Sequence, residues 1–306
     1  MAPVIEKVLD GFRLAEGPHW DNKKQCLYFV DIIESTICRY VPSTKKLTKA
    51  KIDNYNVSII IPVKDRDNQF IVTLNNSIAL VEWDGESTNI SSLKKIYEVD
   101  AGTSNVFNDG KCDKTGRIWA GTMGSSPTSI DELVKGKGTL YSFSNNTATP
   151  HRGEIGISNG IAFDYRLGKM YYTDSFSFRV DQYDIDLSQG KISNMKTIFS
   201  IKNQSELAEE TFCDGMTLDS DGNIWLALFN SSKVYQLDPS NPETVLKVLE
   251  FPAAQITSVA FGGTNLDELY VTSGNLSDRP GGKSPGSVFR VTGLNVKGLP
   301  ADEAIL

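Results

Sequence analysis

The amino-acid sequence predicts an all-β protein, a six-bladed β-propeller that occupies residues 1–306 as a single domain. Three observations predict this fold: one hairpin-like pattern recurs along the chain, its copies are evenly spaced, and helical periodicity is weak throughout. The pattern consists of a small or polar start, a short apolar strand, a turn, and a second strand that carries aromatic residues. The segment "CDGMTLDSDGNIWLAL" at 213–228 is a clear copy.

Apolar and aromatic runs that are bounded by Gly, Asp, Asn or Lys are typical of β-hairpins. Copies begin at residues 16, 58, 109, 159, 214 and 257, the one at 58–74 being degenerate. Four-stranded propeller blades repeat at about this spacing, roughly 40–50 residues. A two-domain β protein is the alternative, but even spacing over the whole chain favours one ring. Aromatic residues at one phase of the copies predict inter-blade core: Trp119, Tyr171, Tyr172, Trp225 and Tyr270.

Composition and charge narrow the classes of partner. The formal net charge is −7, which argues against nucleic acid or an anionic membrane as the main partner. No apolar run approaches the roughly 18 residues of a membrane helix, and acids interrupt the N-terminal segment where a signal peptide would be apolar. The four cysteines form no CxxC pair, which favours reduced thiols in the core. We therefore expect a cytoplasmic monomer or weak dimer that binds a small molecule.

The acidic starts of the copies predict a metal site. The first strand of each blade lies nearest the axis of a propeller, so Glu16, Asp109 and Asp214 converge there, together with Asn159. Crowded carboxylates repel one another unless a cation neutralises them, and oxygen ligands suit Ca²⁺ first, with Mg²⁺, Mn²⁺ or Zn²⁺ as alternatives. Asp-Gly and Asn-Gly are also common turn dipeptides, but four polar starts at equivalent places favour the metal.

Several segments resemble the regucalcin family, also called senescence marker protein 30, which includes gluconolactonases and luciferin-regenerating enzymes. The resemblance covers essentially the whole chain and is strongest toward insect members. It rests on "EGPHW" at 16–20, "FNDGK" at 107–111, "AGTM" at 120–123, "ISNG" at 157–160 and "CDGM" at 213–216.

This resemblance implies a six-bladed propeller with one divalent metal on its axis. It places the metal ligands at Glu16, Asn159 and Asp214, and it gives Asn108 a substrate contact or a place in the metal shell. Asp109 follows as a further polar group near the site.

Two positions depart from the family pattern. Val106 stands where the family usually has an arginine, and Ser126 stands where vertebrate members have an acid. Both positions contact the sugar lactone in the family. Without these charged groups, contacts to a polyhydroxy substrate are weaker. The resemblance therefore supports the metal site more strongly than it supports specificity for sugar lactones.

The function that follows is hydrolysis of small lactones or esters by a divalent-metal-dependent enzyme, with sugar-lactone or luciferin-regenerating activity as particular cases. The metal would act as a Lewis acid and lower the pKa of a bound water. Asp214 is the expected general base, and Asp109 is the second candidate. His19 is expected to be a packed histidine and His151 an exposed one, which leaves little material for a serine or cysteine triad. The alternative is a non-catalytic calcium- or ligand-binding propeller.

The loop at 124–138 is longer than a hairpin needs, and loops at a channel mouth commonly determine specificity. Its residues 129–137 form the best short helix candidate in the chain. Ile130, Leu133 and Val134 suggest an apolar lid that suits a substrate less polar than a sugar.

Overall fold

The structure is a computed structural model that describes residues 2–125, 133–277 and 279–306. These residues form six antiparallel four-stranded sheets, and the sheets are arranged as the six blades of a β-propeller. The predicted fold class is therefore confirmed. Blades 1 to 3 contain β2 Ala15–Asp21, β3 Cys26–Asp31, β4 Thr36–Val41, β5 Lys46–Lys51; β6 Ile60–Pro62, β7 Gln69–Leu74, β8 Ser77–Glu82, β9 Ser92–Glu98; β10 Val106–Cys112, β11 Ile118–Met123, β12 Gly138–Ser144 and β13 Thr147–Ile155.

Blade 6 is completed by a strand from the other end of the chain. β1, Val4–Leu9, pairs antiparallel with the last strand, so that residue Val4 lies opposite Thr292. This pairing joins the two ends of the chain within one sheet and closes the ring. Blades 4 to 6 contain β14 Ser158–Asp164, β15 Lys169–Asp174, β16 Arg179–Asp186, β17 Lys191–Ser200; β18 Phe212–Leu218, β19 Ile224–Phe229, β20 Lys233–Asp238, β21 Thr244–Glu250; β22 Ile256–Gly262, β23 Glu268–Ser273, β24 Val288–Thr292 and β1.

The inner strand of each blade coincides with one copy of the sequence pattern. β2, β6, β10, β14, β18 and β22 occupy the inner position, and neighbouring inner strands such as β14 and β18 pack against each other. We call the face at which these strands begin the upper face and the opposite one the lower face. Five of the six predicted starts lie at or near the upper ends of inner strands, and Asp109 lies in the middle of β10; in this way residues far apart in sequence reach one axis.

The core lies between the blades, where the aromatic residues at the repeated phase are buried as predicted. Trp119 and Trp225 are fully buried, and each indole nitrogen donates to a buried aspartate in the preceding turn. The Nε1 to Oδ2 distance is 2.9 Å from Trp119 to Asp113 and 3.0 Å from Trp225 to Asp219. This repeated Asp–Trp pair satisfies the polar end of each indole inside the apolar core.

Some local expectations are confirmed and others are wrong. The four cysteines are buried and free in the described chain, as expected. His151 is not in an exposed loop: it lies in β13, its ring stacks on Trp119 at 4.6 Å, and its Nε2 lies 2.8 Å from Ser142 Oγ. The helix candidate at 129–137 lies partly outside the described residues, and its described part, 133–137, is not helical.

Two short 3-10 helices, Ser175–Ser177 and Ile201–Asn203, are present on the upper face of the described chain. Within its described residues, no helix is long and apolar enough to cross a membrane.

The C-terminal segment, residues 298–306, crosses the lower face. The amide of Gly298 donates to the carbonyl of Leu266, and the amide of Ile305 donates to that of Gly116. Between these points Ala304 makes backbone hydrogen bonds at the end of β6, since its N–H donates to Pro62 O and its carbonyl accepts from Lys64 N, two residues further on. The segment thus connects blade 6 to blades 2 and 3 beneath the axis.

Candidate active site

Irregular pairing in the inner strands lies at the positions of the predicted site residues. The register between the first two strands shifts between Glu16 and His19, between Phe107 and Asp109, and between Cys213 and Met216. β14 and β22 show the same irregularity near Asn159 and Thr257. A β-bulge turns a side chain away from the regular alternation and is common beside active sites. Here the shifts lie where polar side chains reach the axis.

Two glycines that follow these side chains lie where neighbouring inner strands approach most closely. A Cβ atom on Gly215 would lie 2.0 Å from Ser258 Oγ and 2.8 Å from Ser258 Cα, and one on Gly160 would lie 2.5 Å from Asp214 O. These strands therefore approach too closely for any larger residue, which explains the glycine after Asn159 and after Asp214.

We expect Gly215→Ala to lower the free energy of unfolding by about 1–3 kcal/mol, because the added methyl group overpacks the contact with β22. Gly153→Ala is the matched control, since a Cβ atom there meets only Thr139 Oγ1 at 4.0 Å. Urea denaturation of both variants checks this. A Gly215→Ala protein as stable as the control would contradict the close packing of the inner strands.

Four of the predicted side chains line one cavity at the upper end of the axis: Glu16, Asn108, Asn159 and Asp214. Three of them are almost fully buried, with Glu16, Asn159 and Asp214 retaining 8%, 5% and 6% of their exposed surface. The other two copies begin with hydroxyls that each contact a threonine hydroxyl of the same blade, and Thr257 Oγ1 also donates to Ala15 O of blade 1 at 2.6 Å. Ser58 Oγ lies 2.9 Å from Thr73 Oγ1, and Thr257 Oγ1 lies 2.8 Å from Thr272 Oγ1.

Hydrogen bonds orient both amides of this cavity. Asn159 Nδ2 donates to Ser175 Oγ at 3.0 Å, and Ser175 Oγ in turn donates to Cys213 O at 2.7 Å. Asn108 Nδ2 donates to Ser158 O at 2.9 Å. Because both amide nitrogens are engaged, the amide oxygens are the groups left to act as acceptors or ligands.

Two buried oxygens in this cavity have no hydrogen-bond partner among the described residues: Asn159 Oδ1 and Asp214 Oδ1. A buried acceptor without a donor costs about 1–3 kcal/mol, and more when it is charged. A bound cation would satisfy the unpaired amide and carboxylate oxygens together. The residues present therefore fit a divalent metal ion.

Burial and mutual repulsion both disfavour the charged forms of the carboxylates. Burial, together with the nearby charge of Asp109, raises the pKa of Glu16 to about 8. Burial and the charges of Glu16 and Asp109 hold the pKa of Asp214 well above its usual range. Ionisation of both groups at neutral pH therefore requires a compensating positive charge at this position.

The candidate donors are all oxygens, from two carboxylates and two amides. The described residues contain no group of three or more His, Cys, Asp and Glu side chains arranged to hold a metal. A ligand set made of oxygens alone and rich in amides matches the preference of hard cations such as Ca²⁺ rather than Zn²⁺. The central metal remains a prediction that the donor chemistry supports.

Asp109 lies below this cavity instead of lining it. It faces the middle of the axial channel with Lys111, and its Oδ1 accepts from the amide of Gly110 at 2.7 Å. Lys111 extends across the channel to Met216 O at 2.8 Å, and burial lowers the pKa of its ammonium group against the opposing charges of Asp109 and Asp302. Sequence reasoning missed Lys111, although the lysine of "FNDGK" was a signal.

The two departures from the family pattern have different outcomes. Val106 begins β10 opposite Met123, and of this pair Met123 lines the cavity. Ser126 lies outside the described residues.

The walls above the polar groups are apolar. They come from several blades and from the loops at the upper face, and Leu133 belongs to the loop in which the sequence suggests an apolar lid, whereas Val134 of the same loop is exposed. Ile130 lies outside the described residues. Apart from Glu16 and Asp214, the described residues that line this cavity are uncharged. The apolar ones are Leu14, Ile32, Met123, Leu133, Ile157, Phe212, Phe229 and Leu276.

His19 is a packed residue, as expected. It lies at the lower part of the channel, and burial lowers the pKa of its imidazole to about 4. His19 is therefore neutral and lies below the carboxylates, outside the upper cavity. It cannot act in a catalytic triad within that cavity.

Comparison with known proteins identifies the family. A family model described as "SMP-30/Gluconolactonase/LRE-like region" matches residues 14–275. Regucalcin from Homo sapiens is 33% identical over 305 residues, which are 96% of each chain, and regucalcin from Gallus gallus is 32% identical over 299 residues, 95% of this chain and 94% of the other.

Solved structures agree with this result. A luciferin-regenerating enzyme is 40% identical with a TM-score of 0.94 over all of both chains. The structure of a regucalcin from Agrobacterium tumefaciens is 21% identical with a TM-score of 0.82, covers 96% of this chain and 95% of that one, and shows the likeness of fold. The resemblance inferred from the short motifs is confirmed, and the chain belongs to the SMP-30/gluconolactonase/LRE-like family.

Proposed function

We propose that this protein is a divalent-metal-dependent hydrolase of small lactones or esters whose acyl or alcohol part is apolar. The observation that carries the proposal is the upper cavity, where two carboxylates and two oriented amides lie at the base of apolar walls. Membership in a family that includes gluconolactonases supports lactonase-type chemistry.

Glu16, Asn159 and Asp214 would hold the cation, with Asn108 completing the shell or contacting the substrate. When bound, a divalent ion supplies Lewis-acid polarisation of the carbonyl group that is attacked. Ca²⁺ is the first ion to test because the donors are all oxygens and include amides. Few protein ligands are available, so positions stay open for water and substrate, as an enzyme requires.

Asp214 is the residue we propose as general base. Its carboxylate lines the cavity, so one oxygen can hold the cation while the other accepts a proton from an attacking water. The water oxygen forms a bond to the carbonyl carbon, the carbon–oxygen bond of the ester breaks, and the alcohol leaves with a proton. The carboxylic acid product ionises, so each turnover releases one proton near neutral pH.

The walls favour an apolar substrate over a polyhydroxy one. Of the polar groups that line the cavity, Ser175 Oγ already bonds to Asn159 and Cys213, and both amide nitrogens are engaged. Several sugar hydroxyls placed there would lose water and find few new partners. An aromatic or aliphatic lactone loses little, and the 40% identity to a luciferin-regenerating enzyme makes a luciferin-derived aromatic compound a fitting member of any substrate panel.

A second candidate function is a calcium- or ligand-binding propeller without catalysis. Val106 favours it, because an arginine that grips the sugar lactone in the family is absent here. This alternative requires metal binding with no turnover of any ester.

The test is proton release from a panel of aliphatic, aromatic and sugar-derived lactones. Metal-stripped protein is measured first, and then the same protein with Ca²⁺, Mg²⁺, Mn²⁺ or Zn²⁺ restored. We expect turnover that returns with metal, and we expect Asp214→Asn to lower kcat by about 10²- to 10⁴-fold with metal still bound. Full activity of that variant would refute the base assignment. Tight metal binding without turnover of any substrate would establish the second candidate instead.

A further inference from the structure

The bulged segment that presents Asp214 is held at both of its ends by side chains from other blades. At one end Cys213 O accepts from Ser175 Oγ of blade 4 at 2.7 Å. At the other end Met216 O accepts from Lys111 Nζ of blade 3 at 2.8 Å. The irregular pairing of β18 with β19 falls between these same two residues, Cys213 and Met216.

A bulge disrupts the ladder of backbone hydrogen bonds that fixes a regular strand. The segment from Cys213 to Met216 therefore depends more on outside contacts for its position than the rest of β18 does. Hydrogen bonds from Ser175 and Lys111 supply two such contacts, one on each side of Asp214. The contact from Lys111 is charge-assisted, and such bonds are stronger than neutral ones.

Lys111 lies beneath the site, where two carboxylates influence its charge. Asp109 on its own strand and Asp302 in the C-terminal segment are the carboxylates that act on its ammonium group. Asp302 also accepts a hydrogen bond from the hydroxyl of Tyr165, which is anchored in turn by the amide of Lys114 at 2.8 Å. The C-terminal segment thus places a carboxylate at the lower end of the channel, in a cavity that Lys111 also lines.

We propose that Lys111 is a positioning residue, which ties the β18 bulge across the propeller axis and so sets the place of Asp214 in the site. This inference rests on the proposed function for its consequence, namely metal binding. Its structural content, the restraint of residues 213–216, stands independently of that function.

A role in charge balance alone predicts the opposite result for metal binding. Removal of a positive charge from beneath two carboxylates strengthens their attraction for a cation. Loss of a positioning contact instead weakens metal binding, typically by about 10- to 100-fold when a residue supporting a ligand is changed. The sign of the change in Kd therefore separates the two roles.

The experiment compares Lys111→Met with Lys111→Arg and with the control Lys94→Met, an exposed lysine on β9. Calorimetry gives the Kd for Ca²⁺ and Mn²⁺, and hydrogen exchange of the metal-free protein gives the protection of amides 213–216. We expect Lys111→Met to weaken binding about 10- to 100-fold and to speed exchange in that segment. Lys111→Arg, which keeps a charged donor, is expected to restore most of both properties.

Unchanged exchange at 213–216 in Lys111→Met overturns the proposal, and so does metal binding as tight as in the wild type or tighter. If Lys111→Met does not fold, Lys111→Gln replaces it with the same two measurements, because its side chain is one bond shorter and uncharged. A wild-type protein that binds no divalent ion refutes the proposed function, and the exchange result then decides the positioning role by itself.

Discussion

Glu16→Gln is expected to abolish metal-dependent turnover and, in the metal-free protein, to increase stability at alkaline pH. The loss of activity follows from the loss of a carboxylate ligand to the metal, because Lewis-acid stabilisation by the metal is worth several kcal/mol in the transition state. We therefore expect kcat/KM to fall by about 10³-fold or more. Proton release with saturating Ca²⁺ or Mn²⁺ measures this, and calorimetry gives the accompanying loss of metal affinity.

The stability effect has the opposite sign because of the raised pKa of Glu16, about 8 compared with the ordinary value of 4.5 for a glutamate. A carboxyl group whose pKa is higher in the folded state contributes stability below pH 4.5, and this contribution is lost as pH rises through 8. Without metal, wild-type stability should therefore decline across this interval, by on the order of a few kcal/mol. Glutamine does not ionise, so the variant should show a flatter profile.

Thermal unfolding between pH 5 and 9, with chelator and then with metal, checks both profiles. Metal added to the wild type should remove most of the decline, because the cation stabilises the ionised carboxylates. Glu34→Gln, an exposed glutamate on the same upper face, is the control and should leave activity and the pH profile unchanged. Retained metal-dependent activity in Glu16→Gln would refute the assignment of this residue as a ligand.

The sequence predicts the blades and the polar axis because both depend on local, repeated patterns. Each inner strand is short and mostly apolar, but it begins with a polar residue. These polar residues, such as Glu16, Asn159 and Asp214, can be recognised from the sequence alone. The propeller topology then brings these residues together. Confirmation of the fold therefore explains why the acids converge in one cavity, although it does not establish their roles.

The contacts that the sequence does not reveal are those between distant blades. Lys111 and Met216 are 105 residues apart, and Ser175 and Cys213 are 38 residues apart, so neither hydrogen bond leaves a local pattern. The segment that contains β1 does not show the repeated pattern, because no aromatic second strand follows it. Its place in blade 6 depends on pairing with β24, at the other end of the chain. The sequence does not reveal the partial burial of His151 either, because its ring stacks on Trp119, which lies on another strand of the same blade.

A second large effect is expected in substrate preference. Aromatic or aliphatic lactones should be hydrolysed with kcat/KM at least about 10²- to 10⁴-fold above that for a polyhydroxy sugar lactone of the same ring size. Each hydroxyl buried without a partner costs about 1–3 kcal/mol, so two such groups account for a difference of this size. Steady-state kinetics with matched lactones and one metal ion measure the ratio.

A polar side chain in the wall should reduce this preference. Met123→Gln places an amide of similar size in the cavity, which lowers the penalty for a hydroxyl and raises it for an apolar group, so we expect the ratio to shrink about 10-fold. Met195→Gln is the matched control, because Met195 is 50% exposed on β17 away from the axis. Equal kcat/KM for the sugar and apolar lactones in the wild type would contradict an apolar specificity. The metal ligands act on both substrates, so that result would not contradict the hydrolase activity. It would mean that the apolar walls do not determine substrate specificity.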